Sequence, residues 1–121
     1  MDILLVDDSR TMRMIVQRAI RQAGYRALVV GEAENGRKAL EQLETIKPKL
    51  IVSDWNMPEM SGIDLLVQVR TTTAIPFGFI TSEGSKEIRD LAIKNGASFL
   101  ITKPFTPEDI QDALSPIFGN G

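Results

Sequence analysis

Apolar positions along the chain follow two alternating patterns. Short unbroken runs occupy Ile3 to Val6, Ala27 to Val30, Leu50 to Val52, Ile75 to Ile80 and Phe99 to Ile101. Their length suits strands buried on both faces. Between them, apolar residues recur at the spacing of one helical face. These are Met12, Ile15, Val16, Ala19, Ile20 and Ala23, then Ala39, Leu40, Leu43 and Ile46, then Ile63, Leu65, Leu66 and Val69, then Ile88, Leu91 and Ala92. Punctuation agrees with this division: Gly24 and Gly96 stand where helices stop, Asn35-Gly36 makes a turn, Pro48 ends the second helix and Pro107 suits the first turn of a fifth.

Strand and helix signals alternating through short loops, without repeats or low-complexity linkers, predict an α/β fold. The expected form is a doubly wound five-stranded parallel sheet with helices on both faces. At 121 residues the chain has the size of one domain, so residues 1–121 are read as a single unit. Two residues break the pattern. Gly78 within the fourth strand implies a close backbone approach or a bulge, and Pro116 within the last helix is expected to shorten or kink it.

Composition narrows the function classes. Fourteen basic against sixteen acidic residues leave a net charge of -2, which gives no field to hold a nucleic-acid backbone. The absence of cysteine excludes disulfides and thiolate metal sites. With no histidine either, a serine or cysteine triad, an imidazole zinc site and an internal phosphohistidine relay are all excluded. Ile3 to Val6 is too short for a signal peptide or a membrane span, so a cytoplasmic protein without membrane insertion is expected.

The chemistry-bearing residues fall at strand ends: Asp7 and Asp8 after the first run, Asp54 after the third, Thr81 after the fourth and Lys103 after the fifth. In doubly wound sheets, ligands bind outside the carboxyl ends of the strands. Carboxylates brought together there repel and call for a hard cation such as Mg²⁺. One carboxylate can then attack phosphorus in line, with metal and lysine neutralising the equatorial oxygens. Thr81 can donate to the product phosphate. Taken singly, each residue has a plainer reading. Asp7 and Asp8, or Ser9, could cap a helix, Asp54 could belong to a turn, Thr81 could end a strand and Lys103 could be solvated.

The runs Leu4-Leu5-Val6-Asp7-Asp8-Ser9, Asp54-Trp55-Asn56-Met57-Pro58-Glu59-Met60-Ser61-Gly62, Ile80-Thr81-Ser82-Glu83 and Lys103-Pro104-Phe105 resemble receiver domains of two-component response regulators. Thr11-Met12-Arg13, Trp55, Asn56 and Glu83 are similar to the stand-alone chemotaxis branch, of CheY type. The resemblance implies a flavodoxin-like sheet of order 2-1-3-4-5, a monomeric state and a phosphorylation-dependent switch. Asp54 would be the phosphoacceptor, and Mg²⁺ would be held by Asp8, Asp54 and the main-chain carbonyl of Asn56, with Asp7 acting through a metal-bound water. Lys103, preceding a cis proline, would pair with the acceptor at rest and with the phosphoryl group afterwards. Asn56 and Glu83 would set phosphate lifetime. The implied partners are a sensor histidine kinase (CheA-like) and an output protein such as a flagellar motor switch component or a phosphatase. The chain would be its own catalyst without being a dedicated enzyme, and an attached effector is not expected after the fifth helix.

One departure concerns the readout. Three positions before Lys103 such proteins carry Tyr or Phe, which turns inward as the threonine moves; this chain has Leu100. Phe99 is offset by one residue and so points to the opposite face of a strand. A modified switch and a loss of switching both remain open. Three other functions compete: a Mg²⁺-dependent phosphatase passing through an aspartyl phosphate, a phosphate sink without an output target, and a flavin carrier on the same fold. The first would need a substrate cap, for which the short loops leave little material. The last is disfavoured by an acidic first loop where phosphate needs amides and hydroxyls.

Overall fold

The computed structural model describes residues 1–120. Strands β1 (Ile3–Val6), β2 (Val30–Ala33), β3 (Leu50–Ser53), β4 (Phe77–Thr81) and β5 (Phe99–Thr102) alternate with helices α1 (Arg10–Gln22), α2 (Gly36–Leu43), α3 (Gly62–Arg70), α4 (Lys86–Lys94) and α5 (Pro107–Phe118). All strand pairs are parallel, in the order β2-β1-β3-β4-β5. The expected α/β architecture is therefore present.

Side-chain alternation divides the core into two layers. Leu4, Val6, Ile51, Phe77, Phe79 and Leu100 pack with α2, α3 and α4 on one face. Ile3, Leu5, Leu50, Val52 and Ile80 pack with α1 and α5 on the other. β1, β3 and β4 are buried along their whole length, and each large side chain taken out of water there contributes about 1.5–3 kcal/mol. This packing brings the carboxyl ends of the three central strands to one rim.

Several expected boundaries are corrected. β2 begins at Val30 and not at Ala27, and Val29 is exposed while its carbonyl receives the N–H groups of Asp2 and Ile3. The paired segment includes Gly31 and Glu32 because β2 is an edge strand with a polar side, so its sequence is less apolar than the run before it. β4 starts at Phe77, since Pro76 lacks an N–H and only its carbonyl joins the ladder, accepting from Ile51 at 2.9 Å. α2 ends at Leu43, before Ile46, and Asn35 is its N-cap, accepting from the Lys38 N–H at 2.8 Å. Ile15 and Leu91, expected to face inward, are exposed. α5 is not shortened by Pro116: it continues to Phe118, and both Pro116 and Asp112 lie on its exposed side, where water can replace the missing donor.

Gly78 follows the close-approach expectation. It stays in register between Val52 and Phe99, and a Cβ there would meet the Phe99 ring at 2.1 Å. Phe99 and Leu100 lie on opposite faces of β5, one beside the α1/α5 layer and the other in the α2–α4 layer.

Candidate functional site

Asp7 follows β1 directly and is buried, with 4% of its surface exposed. Its Oδ1 accepts the Ser9 N–H at 2.9 Å, and its main-chain carbonyl accepts from Arg13 Nη1 at 2.5 Å. Ser9, not either aspartate, caps α1, because its Oγ accepts the Met12 N–H at 3.1 Å. The acidic pair is thereby left free of capping duty. Asp8 is exposed at the mouth of the site.

Asp54 leaves the end of β3 with its N–H bonded to the Val6 carbonyl at 3.0 Å. Its Oδ1 accepts the Trp55 N–H at 2.6 Å, and its Oδ2 lies 3.4 Å from Lys103 Nζ. The same ammonium group stands 3.7 Å from Asp7 Oδ2. Asp7, Asp8 and Asp54 each present an oxygen within 4.8 Å of the others. Burial pushes the Asp7 carboxyl above its ordinary range; the Ser9 N–H and Lys103 oppose this, while Asp54 and Asp8 add to it. A single lysine among three carboxylates leaves negative charge to be offset. An all-oxygen, partly open cluster of this kind fits a hard divalent cation.

Lys103 is anchored through its backbone, which donates to the Thr81 carbonyl at 2.9 Å, and its bond to Pro104 is cis. Thr81 is fully buried at the end of β4, with Oγ1 accepting the Glu83 N–H at 3.2 Å. Asn56 Nδ2 donates to Glu83 Oε1 at 3.3 Å. Two further residues support Asp54. Ser53 Oγ donates to the Asp54 carbonyl at 2.8 Å, and a Cβ at Gly62 would come within 2.1 Å of that carbonyl oxygen, so only glycine fits where the β3–α3 loop closes. The Gly62 N–H completes this closure on the Trp55 carbonyl at 2.7 Å.

The sequence-based set thus assembles unevenly. Asp7, Asp8, Asp54 and Lys103 share direct contacts or short separations. Asn56, Glu83 and Thr81 form a second connected group beside them. Leu100 lies outside both, in the core layer with Phe79 and Ala92. The contacts of Ser53, Gly62 and Arg13 are not legible in the sequence, because each is made to a main-chain carbonyl, which no residue periodicity encodes. Among the described residues no helix is long and apolar enough to cross a membrane.

Residues 3–115 match the response regulator receiver domain model. The chain is 41% identical over 123 aligned residues to the chemotaxis protein CheY1 of Helicobacter pylori, covering 98% of each. It is 37% identical to a chemotaxis protein CheY homolog of Campylobacter jejuni, covering 100% of this chain and 95% of the relative. Among solved structures, chemotaxis protein CheY4 of Vibrio cholerae aligns with a TM-score of 0.84 at 32% identity, covering 97% of this chain and 98% of that one. A receiver domain protein of Clostridium thermocellum aligns at 0.82 with 25% identity, covering 96% of this chain and 92% of that one.

Proposed function

The chain belongs to the response regulator receiver domain family, and we propose that it works there as a chemotaxis-type switch phosphorylated on Asp54 by a histidine kinase. Membership carries phosphorylation-dependent signalling, and the proposal concerns which residues perform it. The supporting observation is the orientation of Asp54. One carboxylate oxygen is occupied by the Trp55 N–H while the other faces Lys103 beside two further aspartates.

In this reading the free oxygen of Asp54 attacks the phosphorus of a phosphohistidine on the kinase. The new O–P bond forms as the N–P bond breaks, and the imidazole leaves with the electron pair and takes up a proton. Lys103 acts as a point charge against the phosphoryl oxygens, which suits an ammonium on a flexible stem. Asp8, Asp54 and the Asn56 carbonyl would hold Mg²⁺, with Asp7 contributing through water; when bound, the ion neutralises phosphoryl charge and aligns the groups. Thr81 would receive a hydrogen-bonding partner in the phosphoryl group. Asn56 and Glu83 would govern the approach of hydrolytic water. The partners are then a CheA-like kinase and an output protein such as a motor switch component or phosphatase, with no nucleic acid involved.

Incubation with Mg²⁺ and acetyl phosphate tests the assignment. The wild-type chain should gain one hydroxylamine-labile phosphoryl group by intact mass, and Asp54→Asn should gain none. Equal labelling of the two proteins would remove Asp54 from this role.

A further inference from the structure

Asp7 is tied at every polar atom except one carboxylate oxygen. Its N–H donates to the Ala33 carbonyl at 3.1 Å, its Oδ1 takes the Ser9 N–H, and its carbonyl takes the Arg13 guanidinium. That carbonyl belongs to the peptide unit joining Asp7 to Asp8. Because the unit is planar, fixing it also fixes the position of the Asp8 Cα, the point from which that side chain reaches the rim. Asp8 itself has no such ties: it is exposed at the rim.

Arg13 is held from its other side. Its Nε lies 2.8 Å from Glu32 Oε1, and the Arg13 side chain is only 13% exposed. Glu32 in turn sits in register with Leu5 on the edge strand β2, and its own carbonyl receives Gln42 Nε2 at 2.8 Å. A planar guanidinium can serve two acceptors in fixed directions at once, which a lysine ammonium on its flexible stem cannot reproduce. The chain of contacts therefore runs from α2 and β2 through Arg13 to the peptide that carries Asp8.

From this geometry we propose that Arg13, oriented by Glu32, is a positioning residue for divalent-cation binding: it clamps the Asp7 carbonyl and so holds in place the backbone from which the Asp8 carboxylate reaches the ion. The inference rests on the cation-binding reading of the Asp7, Asp8 and Asp54 cluster. It adds an outer contact that neither ligates the ion nor touches the phosphoryl group. Outer contacts that orient metal ligands typically change affinity about 10–100-fold when removed.

The test is titration with Mg²⁺ alone, followed by calorimetry and by the fluorescence of Trp55, the single tryptophan, whose N–H is bonded to Asp54. Wild type should bind saturably, and Arg13→Gln and Arg13→Lys should each weaken binding about 10-fold. Glu32→Gln, which keeps an oxygen acceptor for Nε, should lose less, and Arg13→Gln with Glu32→Gln should lose no more than Arg13→Gln alone. Metal-free melting temperatures should fall by about 3 °C or less, as expected for a pair with an exposed acidic partner. If Arg13→Lys retains wild-type affinity while Arg13→Gln loses it, charge and not the clamp is responsible, and the proposal fails. It fails equally if both variants lose thermal stability with Mg²⁺ affinity unchanged. Absence of saturable binding in wild type would overturn the cation site and this inference together, whereas normal wild-type binding with unaffected variants would overturn this inference alone.

Discussion

The side-chain amide of Asn56 donates to the carboxylate of Glu83 at 3.3 Å, joining the loop after β3 to the loop after β4. Both residues are exposed, and the same Glu83 is fixed to buried Thr81 through its backbone N–H. On the proposal that Asp54 carries the phosphoryl group, this polar bridge would flank the path of the hydrolytic water. Asn56→Leu would replace it with a bulky apolar group that cannot position water. Dephosphorylation should slow about 3–10-fold, measured as decay of the phosphoprotein after donor removal. That is about 0.7–1.4 kcal/mol of barrier. Unchanged decay would detach Asn56 from phosphate lifetime.

Among the described residues, Lys103 is the one ammonium within reach of both Asp7 and Asp54, at 3.7 and 3.4 Å. Lys103→Met removes that charge from a site where, in the proposed transfer, it would face developing phosphoryl charge. Loss of one preorganised electrostatic contact of this kind costs about 10²–10³ in rate. Phosphorylation of the variant by acetyl phosphate with Mg²⁺ should slow by at least about 10²-fold. A rate within a few-fold of wild type would show that the lysine serves the fold more than the transfer.

Asp7 gives a pH dependence of defined sign. Its carboxyl is held above the ordinary value of 3.8, chiefly by burial. A raised carboxyl contributes stability that is fully present below that ordinary value and is lost as pH rises through the raised one. At neutral pH the metal-free protein therefore carries the cost of a buried, crowded carboxylate. Asp7→Asn keeps an oxygen acceptor for the Ser9 N–H and removes the charge. It should raise the metal-free melting temperature at about pH 7 by roughly 3–6 °C, corresponding to about 1 kcal/mol. The advantage should vanish below about pH 4, where the wild-type carboxyl is protonated. Added Mg²⁺ should reverse the order at neutral pH by favouring wild type.

Gly78 and Phe99 show how packing fixes a residue that carries no chemistry. A Cβ at Gly78 would stand 2.1 to 2.4 Å from three atoms of the Phe99 ring, so the ring or the strand must shift. Overpacking of this type costs about 1–3 kcal/mol. Gly78→Ala should lower the denaturation midpoint accordingly, and adding Phe99→Leu should recover part of the loss. Additive losses in the double variant would contradict the steric account.

Legibility in the sequence tracked burial. β1, β3 and β4 are central, so their apolar runs marked them to within about two residues. β2 was displaced because an edge strand needs only one well-packed face, and its paired residues include Gly31 and Glu32. The carboxylates and Lys103 were legible because each directly follows a strand whose end could be read. Arg13, Ser53 and Gly62 were not. Their contributions are made to main-chain carbonyls, by Ser53 to its neighbour and by Arg13 and Gly62 across a loop, and a carbonyl leaves no signature in residue type.

Leu100 concerns the readout and leads to the last prediction. Thr81 is fully enclosed, so any movement of its hydroxyl toward a phosphoryl group must be accommodated by its neighbours. On the same face of the sheet, Leu100 packs with Phe79 and Ala92, and its carbonyl accepts from Arg89 Nη1 of α4 at 3.1 Å. β5 and α4 are thus joined by both packing and a hydrogen bond, without an aromatic ring at position 100. Beryllofluoride with Mg²⁺ should therefore change amide exchange at Thr81–Ser85 and also through Lys86–Lys94. Arg89→Ala should leave the change at Thr81–Ser85 intact and reduce the change in α4. Exchange differences confined to the rim in the wild-type chain would mean that Leu100 has uncoupled phosphorylation from α4, leaving a domain that takes up phosphate without relaying it.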